Sequence, residues 1–261
     1  MPSIAMGDGC KINYRFDGQA DAPVLLMSNS LSSTLDMWEP QIAGLSSHFR
    51  ILRYDHRGHG ASDAPSGPYT IDRLGQDAKE LVEALGVAPV AFCGLSLGGM
   101  VGMWLAAKAP QLLTRAVFAN TSAYFGNPEI WNQRIAAVEA GGMRVAAEAT
   151  IQRWLTQEYR DAYPEITRKT FDMIANNPVA GYLAAAPGVR DVDLRAALPE
   201  ITTPSLVITG ALDPSTPPAM GEAIEEAIPD ARLAILDSAH MSNIEKTDEF
   251  NRLVVSFLSQ H

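Results

Sequence analysis

Apolar and polar positions along this chain follow two rhythms. Short runs rich in β-branched, aromatic and aliphatic residues at 10–16, 23–28, 49–54, 90–95 and 113–119 predict strands. Between them, residues 37–45, 71–85 and 97–108 space their apolar positions three and four apart and predict helices. Strand and helix in alternation imply an α/β fold with a mostly parallel, doubly wound sheet, because parallel neighbours are joined by crossovers that pack on the sheet faces. From residue 124 to 195 the strands vanish. Helical stretches there are interrupted at Gly141-Gly142, Pro164, Pro178 and Pro187-Gly188, which predicts an inserted helical lid. Strand patterns return at 205–209 and 232–236, with helices at 218–228 and 248–258. The expected organisation is a core formed by residues 1–123 and 196–261, interrupted by a helical cap at 124–195. There is no internal repeat or low-complexity segment.

The strand at 90–95 runs into Gly94-Leu95-Ser96-Leu97-Gly98 and then directly into a helical pattern. This strand, turn and helix around Gly-x-Ser-x-Gly is the setting of a nucleophile elbow. A serine at so tight a turn has a strained backbone, tolerable only where the residues two before and two after carry no bulky side chain. The strain exposes the Ser96 hydroxyl, and the first turn of the following helix points free backbone N–H groups at the same place. The Leu97 amide is therefore a candidate oxyanion donor.

A serine hydroxyl needs a base within hydrogen-bond reach and an acid to orient that base. Asp213 follows the strand at 205–209 and His240 follows the strand at 232–236, both just past carboxyl ends of strands, where open α/β sheets place their ligands. The order Ser96, Asp213, His240 is nucleophile, acid, base. Before Pro214, Asp213 also reads as a turn former. The end of the strand at 113–119 holds Asn120, which supplies no negative charge. Among the other histidines, His48 precedes a strand, His261 is terminal, and His56 and His59 lie in the turn Asp55-His56-Arg57-Gly58-His59-Gly60. That turn reads as structural, since no third metal ligand stands at a suitable spacing. The segment Met27-Ser28-Asn29-Ser30-Leu31-Ser32-Ser33 offers the Leu31 amide as the second oxyanion donor, and it also reads as the cap of the helix that follows.

Composition narrows the partners. Hydrophobic residues make up 47% of 261 residues, enough for one large α/β domain with an insertion. Twenty Lys and Arg against 30 Asp and Glu give a formal charge of −10, which argues against nucleic acid or an anionic membrane as a partner. An anionic substrate would need a local arginine. Cys10 and Cys93, each expected on a strand, read as buried free thiols, and Cys93 faces packing. Without a cationic, apolar N-terminal segment or a membrane-length apolar run, the expected location is the cytoplasm. No metal or nucleotide cofactor is implied, and the sequence leaves the oligomeric state open.

With these residues in place, the chain resembles an α/β-hydrolase over nearly its full length and is similar, within that superfamily, to the 3-oxoadipate enol-lactonases. Asn29-Ser30-Leu31 stands where many α/β-hydrolases carry His-Gly-x. Ala239-His240-Met241-Ser242-Asn243-Ile244-Glu245 resembles the enol-lactonase histidine loop, and Trp131-Asn132-Gln133-Arg134-Ile135 and Arg190-Asp191-Val192-Asp193-Leu194-Arg195 resemble its lid segments. Ser32 departs from the pattern, since the enol-lactonase loop more often shows glycine there. Pro187-Gly188 is a second departure, a break in a helix bordering the pocket.

The resemblance implies an enol-lactone of an unsaturated dicarboxylic acid as the small-molecule substrate, opened by Ser96 through an acyl-enzyme, in the β-ketoadipate branch of aromatic catabolism. The free carboxylate of such a lactone calls for a cation. Arg134, beside Trp131, is the first choice and Arg190 the second, while a solvated helix face is the other reading of Arg134. A general carboxylesterase, a carbon–carbon bond hydrolase and a perhydrolase share the same triad. A serine rather than an aspartate at the elbow disfavours haloalkane dehalogenase and the usual epoxide hydrolase. A non-catalytic ligand receptor on the same fold is the alternative of a different class.

Overall fold

The computed structural model describes residues 2–260; Met1 and His261, the terminal histidine set aside above, lie outside the described residues. The chain forms β1 (Ser3–Ala5), β2 (Lys11–Asp17), β3 (Val24–Ser28), α1 (Glu39–Leu45), β4 (Arg50–Tyr54), α2 (Ile71–Ala84), β5 (Val90–Leu95), α3 (Leu97–Lys108) and β6 (Leu113–Ala119). After β6 come α4 (Glu129–Trp154), α5 (Gln157–Ala162), α6 (Pro164–Ala175) and α7 (Val179–Arg190). Then follow β7 (Ser205–Gly210), α8 (Pro218–Ala227), β8 (Arg232–Leu236), α9 (Ser242–Glu245) and α10 (Thr247–Leu258). The eight strands make one sheet in the order β1-β2-β4-β3-β5-β6-β7-β8. β1 and β2 pair antiparallel, as do β2 and β4, and every other pairing is parallel.

All six residues of β5 and all six of β7 are buried, as expected of parallel strands covered on both faces. α3 is likewise apolar nearly all round and buried along most of its length, so it sits inside the protein and not across its surface. At the carboxyl edge of this sheet lie the ends of β3, β5, β6, β7 and β8, and the connections leaving them carry the polar residues singled out from the sequence.

Several elements differ from the sequence-based expectation for identifiable reasons. β1 was not expected, because three residues at a sheet edge carry too little pattern to register. β2 begins at Lys11, leaving Cys10 just outside it. The expected helix at 37–45 is a 3-10 turn, Leu35–Trp38, capped by the Thr34 hydroxyl, followed by α1 with a proline in its first turn. The interruption expected at Gly141-Gly142 is present: Gly142 takes φ 72° and ψ −174°, and α4 is two helical stretches joined there at a kink. The break expected at Pro187-Gly188 is absent: α7 runs through it to Arg190. Pro187 removes the donor to the Leu183 carbonyl, and the neighbouring Ala184 carbonyl accepts the Tyr69 N–H at 2.7 Å from outside the helix. Gly188 permits the approach, since a Cβ there would stand 2.2 Å from the Tyr69 oxygen.

The turn after β4 is held by buried polar contacts. Asp55 accepts from Leu35 N–H at 2.7 Å, Asn13 Nδ2 at 2.7 Å and Ala61 N–H at 3.0 Å. Arg57 pairs with the buried Asp77 at 2.5 Å and with Asp8 at 2.8 Å. His56 Nε2 lies 3.2 Å from the Asn29 carbonyl oxygen, which assigns its proton to that nitrogen. His59 Nδ1–H donates to the Arg57 carbonyl at 3.1 Å, while Nε2 accepts the Ser32 N–H at 3.1 Å. The turn thus supports the loop after β3, a connection invisible in the local sequence.

Burial pulls the His56 imidazole down to about 3, with the neighbouring His59 adding to the shift and the Asn29 contact opposing it. Burial also takes His59 down to about 4, against the Arg57 carbonyl contact. Both rings are neutral in the folded protein at pH values where the unfolded chain, titrating near 6.5, has taken up protons. The unfolded state therefore binds more protons in that window, so their contribution to stability is complete above pH 6.5 and is lost as pH falls towards 4 and then 3. Each histidine contributes up to about 1.4 kcal/mol per pH unit across its window. Thermal unfolding followed from pH 7 to pH 4 should show Tm falling on acidification, with a shallower fall in His59→Gln; equal slopes would show that His59 is not buried neutral.

Candidate active site

The turn between β5 and α3 is as tight as its sequence requires. Ser96 has φ 58° and ψ −114°, a conformation unfavourable for a residue with a Cβ. A Cβ at Gly94 would meet the Gly98 carbonyl oxygen at 2.2 Å, and one at Gly98 would meet the Ser28 carbonyl oxygen at 2.0 Å. Both distances are well inside contact, so alanine at either position displaces the strand or the helix. Ser96 itself is anchored, its N–H donating to the Ala119 carbonyl at 2.9 Å and its carbonyl accepting from Thr121 Oγ1 at 2.7 Å.

Asp213 and His240 meet behind this turn. His240 Nδ1 lies 2.7 Å from Asp213 Oδ2, so Nδ1–H donates to the carboxylate and Nε2 is left with its lone pair. The carboxylate is thoroughly solvated by the protein: Oδ1 accepts from the Ser215 N–H at 2.8 Å and the Thr216 N–H at 3.1 Å. Oδ2 also accepts from Thr216 Oγ1 at 2.6 Å and Asn120 Nδ2 at 3.1 Å. Burial by itself would raise the Asp213 carboxyl, but the interaction with His240 and these hydrogen bonds outweigh it and hold the group below the usual carboxylate range. Asn120, which supplies no charge at the end of β6, instead helps hold Asp213, and its own Oδ1 accepts from Ser242 Oγ at 2.5 Å.

The histidine loop is braced from two directions. Glu245 accepts from the Ala239 N–H at 2.5 Å and from the Thr156 N–H at 2.6 Å, and the Met241 N–H donates to the Trp154 carbonyl at 2.9 Å. Thr156 and Trp154 belong to the segment between β6 and β7, so the α4–α5 junction touches the loop that carries His240.

Ser96 and His240 line one pocket together with Leu31, Trp131, Arg134, Arg153 and Tyr182. Its volume is about 50 Å³. No acidic side chain lines it. Leu31 follows β3 and Leu97 opens α3, and neither backbone N–H donates to a protein acceptor among the described residues. Both amides are free to bind an incoming oxygen.

The two arginines set the electrostatics of this pocket. Arg134 places its Cζ 4.7 Å from the Trp131 ring centroid, a cation–π geometry. Arg153 donates to the Ala149 carbonyl at 2.8 Å and to Thr150 Oγ1 at 3.1 Å, while its buried Nε has no partner. Burial, and then the like charge of Arg134, bring the Arg153 guanidinium down to about 10, with Tyr182 acting in the other direction. Burial likewise lowers Arg134. Both remain cationic at neutral pH.

Arg153 was not singled out from the sequence. It is the penultimate residue of α4, and only the fold brings it to the pocket that Ser96 lines. Arg190, the second choice for a carboxylate contact, is absent from the pocket lining. Its guanidinium is taken by Asp191 at 2.7 Å and Asn132 at 3.0 Å. The adjacent aspartate satisfies it locally, which corrects that expectation. Cys93 is fully buried in β5, and burial pushes its thiol far up, so it remains protonated. No helix among the described residues is long and apolar enough to cross a membrane.

Comparison with known proteins identifies the family. The family model of the α/β-hydrolase fold matches residues 23–247. The 3-oxoadipate enol-lactonase 2 of Acinetobacter baylyi is 38% identical over 95% of this chain and 93% of its own length. The 3-oxoadipate enol-lactonase 1 of the same organism is 32% identical over 98% of this chain and 96% of its own. The crystal structure of the enol-lactonase from Burkholderia xenovorans LB400 superposes with a TM-score of 0.97 at 41% identity, covering 99% of this chain and 100% of that one. The chain belongs to the α/β-hydrolase fold family and, within it, is similar to the 3-oxoadipate enol-lactonases.

Proposed function

We propose that this chain is a serine hydrolase that opens a carboxylate-bearing enol-lactone, converting 3-oxoadipate enol-lactone to 3-oxoadipate through an acyl-enzyme. The observation that carries the reading is a pocket in which Ser96 and His240 face two arginines, Arg134 and Arg153, with no carboxylate to neutralise them. The names of the similar proteins supply the particular lactone.

In this mechanism Ser96 Oγ attacks the ring carbonyl carbon while His240 Nε2 takes the hydroxyl proton, and Asp213 stabilises the imidazolium that results. The carbonyl oxygen becomes an oxyanion held by the Leu31 and Leu97 amides, each such donor typically contributing about 3 kcal/mol in the transition state. Collapse breaks the ring C–O bond and expels an enolate, a weaker base than an alkoxide. The His240 proton passes to that leaving group, which tautomerises to the ketone. Water then attacks the acyl-enzyme, His240 takes its proton, and the tetrahedral intermediate collapses to release a second carboxylate and regenerate Ser96.

The part of residues 124–195 that forms α4–α7 acts as a lid over this chemistry. It supplies Trp131, Arg134, Arg153 and Tyr182 to the pocket. Arg134 and Arg153 bind the carboxylate that the lactone keeps throughout, and Trp131 holds the Arg134 guanidinium in place.

Steady-state hydrolysis of freshly generated 3-oxoadipate enol-lactone, run beside a neutral short-chain aryl ester, tests the reading. The lactone should be strongly preferred, and Ser96→Ala should lose at least about a thousandfold in kcat on both substrates. Good turnover of the ester with little of the lactone would leave the serine chemistry standing and remove the substrate assignment.

Arg134→Ala and Arg153→Ala should each raise KM for the lactone by about tenfold or more, the worth of a hydrogen bond to a charged group. KM for the neutral ester should move less than about twofold. Equal effects on both substrates would show that the arginines shape the pocket without binding the carboxylate.

A further inference from the structure

Ser32 lies one residue beyond the Leu31 amide and takes φ 68°, a left-handed backbone conformation that a Cβ makes unfavourable. Two side chains from distant parts of the sequence hold it there. His59 Nε2 accepts the Ser32 N–H at 3.1 Å, and Asn177 Nδ2 donates to the Ser32 carbonyl at 2.8 Å. The peptide groups on both sides of the Ser32 Cα are thereby pinned.

Both holders are themselves fixed and buried, His59 being 1% and Asn177 6% exposed. Asn177 Nδ2 also donates to the Met173 carbonyl at 2.9 Å, and its Oδ1 accepts the Gly60 N–H at 3.1 Å. His59 is anchored through Nδ1–H to the Arg57 carbonyl. Asn177 lies just past the end of α6, so its amide hydrogen-bonds the segment between β6 and β7 to the loop after β3.

We propose that Asn177 and His59 are positioning residues for the oxyanion loop: they hold Ser32 in its left-handed conformation and so aim the Leu31 N–H at the oxygen that becomes negative during acyl transfer. This inference rests on the proposed serine mechanism. It gives the segment between β6 and β7 a part in transition-state stabilisation as well as in forming the pocket wall.

Asn177→Asp tests it. The variant is nearly isosteric and keeps an oxygen for the Gly60 N–H, but it replaces the donor to Ser32 with an acceptor. On both the enol-lactone and the neutral aryl ester, kcat should fall about tenfold to hundredfold while KM stays within about threefold. In a Ser32→Gly background the same substitution should cost less than about threefold, because glycine takes positive φ without being held.

A kcat within twofold of wild type, in protein whose Ser96→Ala variant is inactive, overturns the positioning role and leaves the serine mechanism intact. A loss that Ser32→Gly does not lessen, or one carried mainly by KM, overturns it as well. Turnover surviving Ser96→Ala overturns the serine mechanism and this inference together. If Asn177→Asp lowers Tm too far for assay, Asn177→Ala, which introduces no charge, is held to the same criteria.

Discussion

The close crossing of the β5–α3 turn against the end of β3 is the constraint on which the rest of the site depends. With only 2.0 Å between a Cβ at Gly98 and the Ser28 carbonyl oxygen, and 2.2 Å between one at Gly94 and the Gly98 carbonyl oxygen, no side chain fits at either position. That approach sets Ser96 at positive φ and brings the first turn of α3 beside the loop that starts at Asn29. Leu97 and Leu31 then offer their amides from two elements far apart in sequence. A looser crossing would separate the Ser96 hydroxyl from these two amides.

Charge is sorted around this crossing. The protein as a whole carries a formal charge of −10, yet the pocket presents two arginines and no acidic side chain. The one carboxylate the chemistry calls for, Asp213, sits behind the imidazole and outside the pocket lining, with hydrogen bonds from Ser215, Thr216, Asn120 and His240. A buried carboxylate is tolerated when it is solvated in this way. Positive charge thus lines the pocket while negative charge sits behind the imidazole.

The segment between β6 and β7 adds to both halves of the site. Its α4–α5 junction meets the histidine loop through Trp154 and Thr156, and Asn177 beyond α6 meets the loop after β3. The α/β core supplies strand ends at the correct spacing, while this segment fixes how the loops leaving them are held. A relative with the same core and a different insertion would keep the strand ends and lose these particular contacts.

Much of the architecture follows from local pattern. The strands of the sheet apart from β1, the helices between them, the elbow at Ser96, and the placement of Asp213 and His240 after β7 and β8 are all legible in the chain. Each rests on short-range physics: apolar periodicity, glycine at a turn, and a polar residue just past a strand. The turn after β4 also reads correctly as structural, since its histidines are packed, neutral and hydrogen bonded.

Most of what the sequence could not determine depends on contacts between residues far apart along it. The helix runs through Pro187-Gly188, packed against Tyr69, where local rules alone predict a break. Arg190 reads as available, but Asp191 and Asn132 occupy it. Arg153 reads as one more charge on a long helix, until α4 folds over the sheet and turns that face towards Ser96. The sequence by itself determined the fold and where Ser96, Asp213 and His240 fall in it, because turn and periodicity act over a few residues. Tertiary structure alone decided which charges line the pocket and what holds the loop at Ser32, because those partners are separated by tens to more than a hundred residues.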